Sequence, residues 1–288
     1  MAVFAINKTA YTQSFLGLMG ASTGFVNSFT SNLKLTSLDP RAGSVTARKV
    51  GAVTLQTPVP GTIMTNGAAR TNVTLTTFNG AHVIGLDPTQ ALQFIGDADE
   101  QAKELAAFAN AARLKAEAEL IADLVGGTPG DSETLEDGQL DFATDGTPGE
   151  AYKAVNALDQ VVSYVQANTQ GKGGRISIVF NPTSWANFKS LRKFEQINRS
   201  FDRVGNDWFY DGLPVYVTTV STNFGGASKA AAFVYHEDAE GLIWTEVDAP
   251  DGGFAYYGDG QLALHLLCYG HAGLIDNTQY GRVLNGVS

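Results

Sequence analysis

Residues 97–125 read DADEQAKELAAFANAARLKAEAELIADLV, with no Gly or Pro between the flanking Gly96 and Gly126. Ten of the 29 are Ala, the strongest helix former. Leu105, Phe108, Ala112, Ala116 and Leu120 recur at spacings of three or four, so they line one helical stripe. Asp97 followed by Glu100 is a capping-box-like start. At 1.5 Å per residue the helix spans about 43 Å. That is a rod, and it organises the reading of everything around it.

Upstream, SVTARKVGAVTLQT (44–57) and RTNVTLTTFNGAHVIGL (70–86) are dense in Thr and Val. Val73, Leu75 and Thr77 alternate with Thr74, Thr76 and Phe78. Between the two runs, Pro58-Val-Pro-Gly61 and Asn66-Gly67 supply turn chemistry. The stretch predicts a long two-stranded hairpin, and such a hairpin is marginal in water without a neighbour. Residues 1–35 mix Phe4, Phe15, Leu18, Met19, Phe25 and Phe29 with Gly, Ser, Thr and Asn. They keep neither helical period nor clean alternation, so an extended arm is expected there. A signal peptide fits poorly, because Gly17, Gly20 and Gly24 break the apolar run.

Downstream, Asp131–Asp145 is acidic and turn-rich. A second helix is predicted over 149–168, then a Gly171–Gly174 loop, a buried strand Arg175–Phe180, and Asn181-Pro182 before a helix from Ser184 to about Ile197. A turn is expected over Phe201–Asp211. Further strands are expected at 213–219, 231–235, 242–247, 254–257, 262–269 and 282–284.

With 44% hydrophobic and 17% charged residues, the chain has globular composition. A single cysteine, Cys268, leaves no intrachain disulfide and no multi-cysteine metal or cluster site. No apolar run is long enough for a spanning helix, so no membrane partner is expected. The net charge of −10 excludes a nucleic-acid binder held by an overall basic face, though not a local patch. Charge is unevenly distributed. Residues 1–85 carry +5, 86–160 carry −12, 161–205 carry +5 and 206–288 carry −8. Opposite blocks of this kind suit copies that dock on one another.

Reactive motifs are weak. Gly20-Ala-Ser22-Thr-Gly24 matches a nucleophile elbow, but it lacks the strand, helix and prior sheet which that motif needs. On a strand, His265 and His271 would lie about 20 Å apart with Cys268 facing the other way, and Gly270 disfavours a helix. One tetrahedral ion cannot gather them. Asp137, Asp141 and Asp145 lack the spacing of a calcium loop, and Gly171–Gly174 lacks the span of a phosphate loop. No cofactor is expected, and no catalytic or metal residue is assigned.

The order of parts resembles the major capsid proteins of tailed bacteriophages. Its most specific matches are Arg175-Ile-Ser-Ile-Val-Phe-Asn181-Pro182-Thr-Ser-Trp185, then Asp211-Gly-Leu-Pro-Val-Tyr-Val-Thr218, and the ending Tyr280-Gly-Arg282-Val-Leu-Asn-Gly. The resemblance implies an α+β chain with the phage major-capsid fold. Its parts would be an N-terminal arm (1–38), an E-loop hairpin region (39–86), a peripheral domain (87–148 and 248–288) with its spine helix at 97–125, and an axial domain (149–247). It implies a non-enzymatic subunit of an icosahedral head around double-stranded DNA, assembled in the host cytoplasm and residing in the virion. Partners would be other copies in hexamers and pentamers, separate scaffolding, portal and decoration proteins, and DNA lying non-specifically close. The arm begins almost at Met1, which is why scaffolding is expected as a separate protein. Axial tips would set the Gly171–Gly174 loop or the Phe201–Asp211 turn near a symmetry axis. Some relatives cross-link through an E-loop Lys. The expected tip, Gln56–Asn72, holds Arg70 and no Lys, so that activity is not carried over. Inter-subunit contacts are expected between Arg48, Lys49 or Arg70 and acids of a neighbour: Asp97, Glu100, Glu104, Asp131, Glu133 and Asp137. The alternatives are an encapsulin-type compartment shell, a secreted serine hydrolase using Ser22, and a tail or fibre binding module.

Overall fold

The computed structural model describes residues 8–20, 24–29, 34–35, 44–50, 70–87, 89–90, 93–94, 97–134, 148–169, 173–191, 201–204, 207–218, 220, 224, 230–248, 254–257 and 261–284. Its longer helices are α1 (Lys8–Gly20), α2 (Ala98–Gly126), α3 (Pro148–Thr169) and α4 (Pro182–Leu191). The strands are β1 (Lys34–Leu35), β2 (Ser44–Val50), β3 (Arg70–Leu86), β4 (Asp131–Thr134), β5 (Ile176–Phe180), β6 (Phe201–Val204), β7 (Asp207–Tyr210), β8 (Leu213–Val217), β9 (Ala230–His236), β10 (Glu240–Asp248), β11 (Phe254–Tyr257), β12 (Gln261–Leu274) and β13 (Tyr280–Leu284).

They form two sheets. One has six strands, in the order β1-β2-β3-β12-β10, with β11 also paired to β12. The other has seven, in the order β4-β13-β9-β5-β8-β7-β6. The hairpin β2–β3 is present, but its root is not free. Residues 44–50 pair with 70–76, and β3 then continues through eleven paired positions along β12. The support that a hairpin needs therefore comes first from its own chain.

The rod α2 ties the sheets together. Leu105, Phe108, Ala109 and Ala112 share a core with Ile84, Leu266 and Cys268 of the six-stranded sheet. From the next turn on, Ala116, Leu120, Ile121 and Leu124 join Val179, Phe233 and Tyr235 of the seven-stranded sheet. The second sheet's other face is covered by α3 and α4, through Leu158, Val161, Val165, Trp185 and Phe188. Asp97 caps α2 by accepting from the backbone N–H of Asp99 (2.9 Å) and Glu100 (3.1 Å). Asn181 does the same for α4. Its Oδ1 accepts from Ser184 N–H at 2.7 Å, its Nδ2 donates to the Ala230 carbonyl at 3.1 Å, and Pro182 takes the first helical position.

Three expectations change. Within the expected arm, residues 8–20 are helical rather than extended, and this helix, α1, lies on its own subunit. Phe15 is 1% exposed, and its ring sits 5.4 Å from Phe108 and 5.7 Å from Trp244. Phe25, Val26 and Phe29 are likewise buried in the chain's own core, while Leu16 and Leu18 stay exposed. Phe201–Asp211 is not simply a turn. It contains the β6–β7 hairpin and leads into β8 through Asp211 (φ +47) and Gly212 (φ +78). Two consecutive left-handed residues are what a tight type I′ turn demands. Lastly, α4 begins at Pro182, two residues before the expected Ser184. β10 belongs with β12, while β4 and β13 belong with β9.

Candidate assembly surfaces

The three basic residues expected at an interface occupy the last three rungs of the hairpin ladder. Arg48 pairs with Asn72, Lys49 with Thr71 and Arg70 with Val50. Lys34 of β1 stands opposite Arg48, so the distal end of this sheet concentrates four bases. The connection 51–69, with most of the expected tip, lies outside the described residues.

The acids do not form one patch. Asp97, Glu100 and Glu104 belong to the start of α2, and Asp97 is committed to its cap. Asp131 and Glu133 lie on β4, just past the other end of α2, about 43 Å away along the rod. A single basic tip cannot meet both groups. Asp131 is half-buried and accepts from Ser132 N–H at 2.9 Å. Glu133 opens onto a groove of about 440 Å³ that it lines with Asn156, Asp159, Gln160 and Ser163. The Gln160 amide, with its nitrogen turned toward Glu133, donates to both carboxylate oxygens at 3.2 Å. Asp159 accepts a hydrogen bond from Tyr210. Asp137 lies outside the described residues, as does Ser22.

Two polar features at the junction of the sheets carry no sequence signature. Thr218, at the end of β8, donates to Glu117 of α2, which pins the rod to the seven-stranded sheet. Glu240 is fully buried where the chain leaves β9 for β10, and neither carboxylate oxygen has a hydrogen-bond partner among the described residues. Burial, and then the charge of Asp123, push its carboxyl well above the usual range. Asp123 itself is raised to about 6, by burial and by Glu119. Tyr280 is raised to about 12, chiefly by burial, with Glu240 and Asp123 adding to it. Nearby, Tyr235 meets the Ser28 hydroxyl at 2.6 Å, while Ser28 donates to the Phe25 carbonyl at 2.5 Å. These groups fasten the segment after α1 against the central strand β9.

His271 of β12 meets Thr77 of β3, Nδ1 to Oγ1 at 2.8 Å, and burial lowers its pKa. Cys268 is 1% exposed, and burial raises its thiol. Among the described residues no group of three His, Cys, Asp or Glu is placed to hold a metal, and no helix is long and apolar enough to cross a membrane.

The fold recurs in solved structures. A cyanophage P-SCSP1u capsid is similar at a TM-score of 0.56 and 12% identity, over 86% of this chain and 84% of that one. The mature capsid of bacteriophage PhiM1 is similar at 0.55 and 12%, over 92% and 87%. The chain has the phage major-capsid fold. A virus-like particle from Pyrococcus furiosus shares this capsid fold at a TM-score of 0.54 and 10% identity, over 96% and 98%. No protein-family pattern matches the sequence, and no curated protein is significantly similar to it. The likeness therefore lies in backbone architecture.

Proposed function

We propose that this chain is a structural subunit that assembles in many copies into the icosahedral head of a phage, around packaged double-stranded DNA. The observation that carries this is the capsid fold, matched over more than four-fifths of both chains in each comparison. In this reading the β2–β3 hairpin is the E-loop, α2 is the spine helix of a peripheral domain, and the seven-stranded sheet with α3 and α4 forms most of an axial domain. The subunit is non-enzymatic. Scaffolding, portal and decoration proteins are its partners, assembly occurs in the host cytoplasm, and the mature location is the virion.

Electron microscopy of the purified product is the test. Large closed shells that contain DNA, or that fill with DNA when the packaging machinery is present, support the reading. Small shells around a protein cargo would replace it with a cellular compartment of the encapsulin kind. A persistent monomer, with or without a scaffolding partner, would overturn it.

Within this reading, the four bases at the distal hairpin meet acids of a neighbouring subunit. Exposed pairs contribute only about 0–1 kcal/mol each, so their expected effect is on encounter rate and register. Arg70→Glu, or Arg48→Glu with Lys49→Glu, should slow assembly several-fold and flatten its salt dependence while the subunit still folds. Reversal of Glu100 at one end of the rod or of Glu133 at the other should reproduce the defect at one end only, because the two lie too far apart for one tip. Light-scattering kinetics across salt that do not change in any of these variants would leave apolar packing as the organising force.

A further inference from the structure

Two crossings between the sheets meet at one carbonyl. The chain leaves β9 for β10 through 237–239, and it passes from β12 to β13 through 275–279. The Ala239 carbonyl accepts from the backbone N–H of Ile275 at 2.8 Å and of Asp276 at 3.2 Å. Ala239 N–H in turn donates to the His236 carbonyl at 2.9 Å. Glu240 follows directly, opposite Leu274 in the ladder, and Tyr280 is the first residue of β13. The end of the rod closes the third side. Gly127 donates to the Asp123 carbonyl at 2.9 Å, and a Cβ on it would come within 2.4 Å of both Leu274 Cδ1 and Tyr280 Oη. Glu240 and Tyr280 are both 0% exposed, and neither the carboxylate nor the hydroxyl has a hydrogen-bond partner among the described residues. The groups around Glu240 are mostly acidic. From α2 it faces Asp123, with Glu119 behind. From β13 and β9 it faces Tyr280 and Tyr235, and Arg282 beyond Tyr280 donates to Ser132 Oγ at 3.2 Å. Glu237 and Asp238 precede it, His236 at their far end meets the Gly173 carbonyl at 2.7 Å, and Asp276 accepts from Thr278 and Gln279.

We propose that the meeting of the two crossings is a proton-operated latch, closed while Glu240 is protonated and opened by its ionisation without unfolding of either sheet. A buried neutral carboxyl costs far less than a buried carboxylate with no base hydrogen-bonded to it. Once charged, Glu240 gains most by reaching water, and Asp123 repels it from the rod. Its place in the chain makes a local route available. Glu240 is the first residue of β10, so the bonds that hold it inward are those at the Ala239 carbonyl rather than a mid-strand ladder. Breaking those bonds frees 237–239 and 275–279 together. The eleven paired positions of β3 and β12 are untouched, and α2 keeps its core with Ile84 and Leu266. Segments with few bonds of their own open below the free energy of global unfolding. The latch belongs to the single subunit and does not depend on the shell-forming reading.

Native-state hydrogen exchange on the full chain tests this. The probes are the amides of Ile275 and Asp276, and the reference is the middle of the β3–β12 ladder, with the intrinsic pH dependence of exchange divided out. Between about pH 5.5 and 8 the two probes should lose protection at least tenfold, the change that one pH unit of linkage supplies. Urea up to about 1 M should leave their rates nearly unchanged, because a local opening exposes little surface. Ladder amides, which wait for global unfolding, should exchange more slowly and respond steeply to urea. Glu240→Gln should abolish the loss of protection at pH 8, and Asp123→Asn should reduce it by removing the repelling charge. The second variant decides the matter if the first does not fold. Protection of Ile275 and Asp276 that is independent of pH overturns the latch. So does exchange that follows the ladder amides in both rate and urea response, since the junction would then open only with the whole subunit. An undiminished loss in either folded variant also overturns it, by removing these carboxyls as the cause.

Discussion

Gly270→Val is expected to unfold most of the subunit. Gly270 lies on β12 between Phe78 of β3 and Trp244 of β10, its partners in the two adjacent ladders. The two rings meet edge-on at 5.4 Å over it. A side chain at this position would begin inside the Phe78 ring, so both aromatics would have to leave the core that joins the sheets. Overpacking a core by one or two methyl groups typically costs about 1–3 kcal/mol. Here the displaced groups are two aromatic rings of a three-strand row, and the loss should reach about 4 kcal/mol or more. Gly85 supplies the control, since a Cβ there meets nothing within 4 Å. Gly85→Ala should therefore leave the urea midpoint within about 0.5 kcal/mol of the unmodified chain, or raise it slightly. Equal midpoints for Gly270→Val and Gly85→Ala would show that the rings can rearrange at no cost.

The second large effect is a dependence of stability on pH, set by Glu240. Its carboxyl is raised in the fold, so the folded chain keeps a proton that the unfolded chain releases. Stability from this group is fully present below its ordinary value of 4.5 and falls as pH rises toward the raised value. Within that window the slope approaches about 1.4 kcal/mol per pH unit. Asp123 acts in the same direction between 3.8 and about 6. His271 opposes them. Its lowered pKa means that the fold prefers the neutral ring, so stability is lost as pH falls below 6.5. Around neutrality and above, the acid dominates. Glu240→Gln holds the site in its uncharged form, and should make the chain more stable than the unmodified protein at pH 8 while the two converge near pH 4.5. Parallel stability curves for the two proteins across that range would remove Glu240 as the source.

These two sites show what the sequence could and could not convey. The α2 helix was legible to within a residue at each end, because an uninterrupted Ala-rich stripe and an Asp cap are local signals. Asn181-Pro182 was legible only as the end of β5: the helix was expected from Ser184, whereas α4 begins at Pro182 behind the Asn181 cap. The helix α1 was not legible, since among its described side chains Phe15 and Met19 turn inward while Leu16 and Leu18 stay exposed. Its helicity comes from packing on α2 and β10, which no local period reports. Glu240 reads as one acid among ten in the last block of the chain. Only the crossing between sheets makes it a buried group. The separation of the expected acidic contacts into two clusters, by contrast, was already implicit in a rod of about 43 Å, and the charge blocks alone concealed it.

The position of the last strands has a consequence for the order of events during synthesis. β12 is an inner strand of one sheet, and β13 is inserted between β4 and β9 of the other. Neither sheet can close until residues 261–284 have left the ribosome. A nascent chain already displays its hairpin and rod, yet it has no finished sheet on which a neighbour could register. On the shell-forming reading, translation therefore acts as a clock: a polypeptide becomes competent to join its fellows only after its final strands emerge, and stalled fragments that end before Gln261 are kept out of whatever the complete chains build.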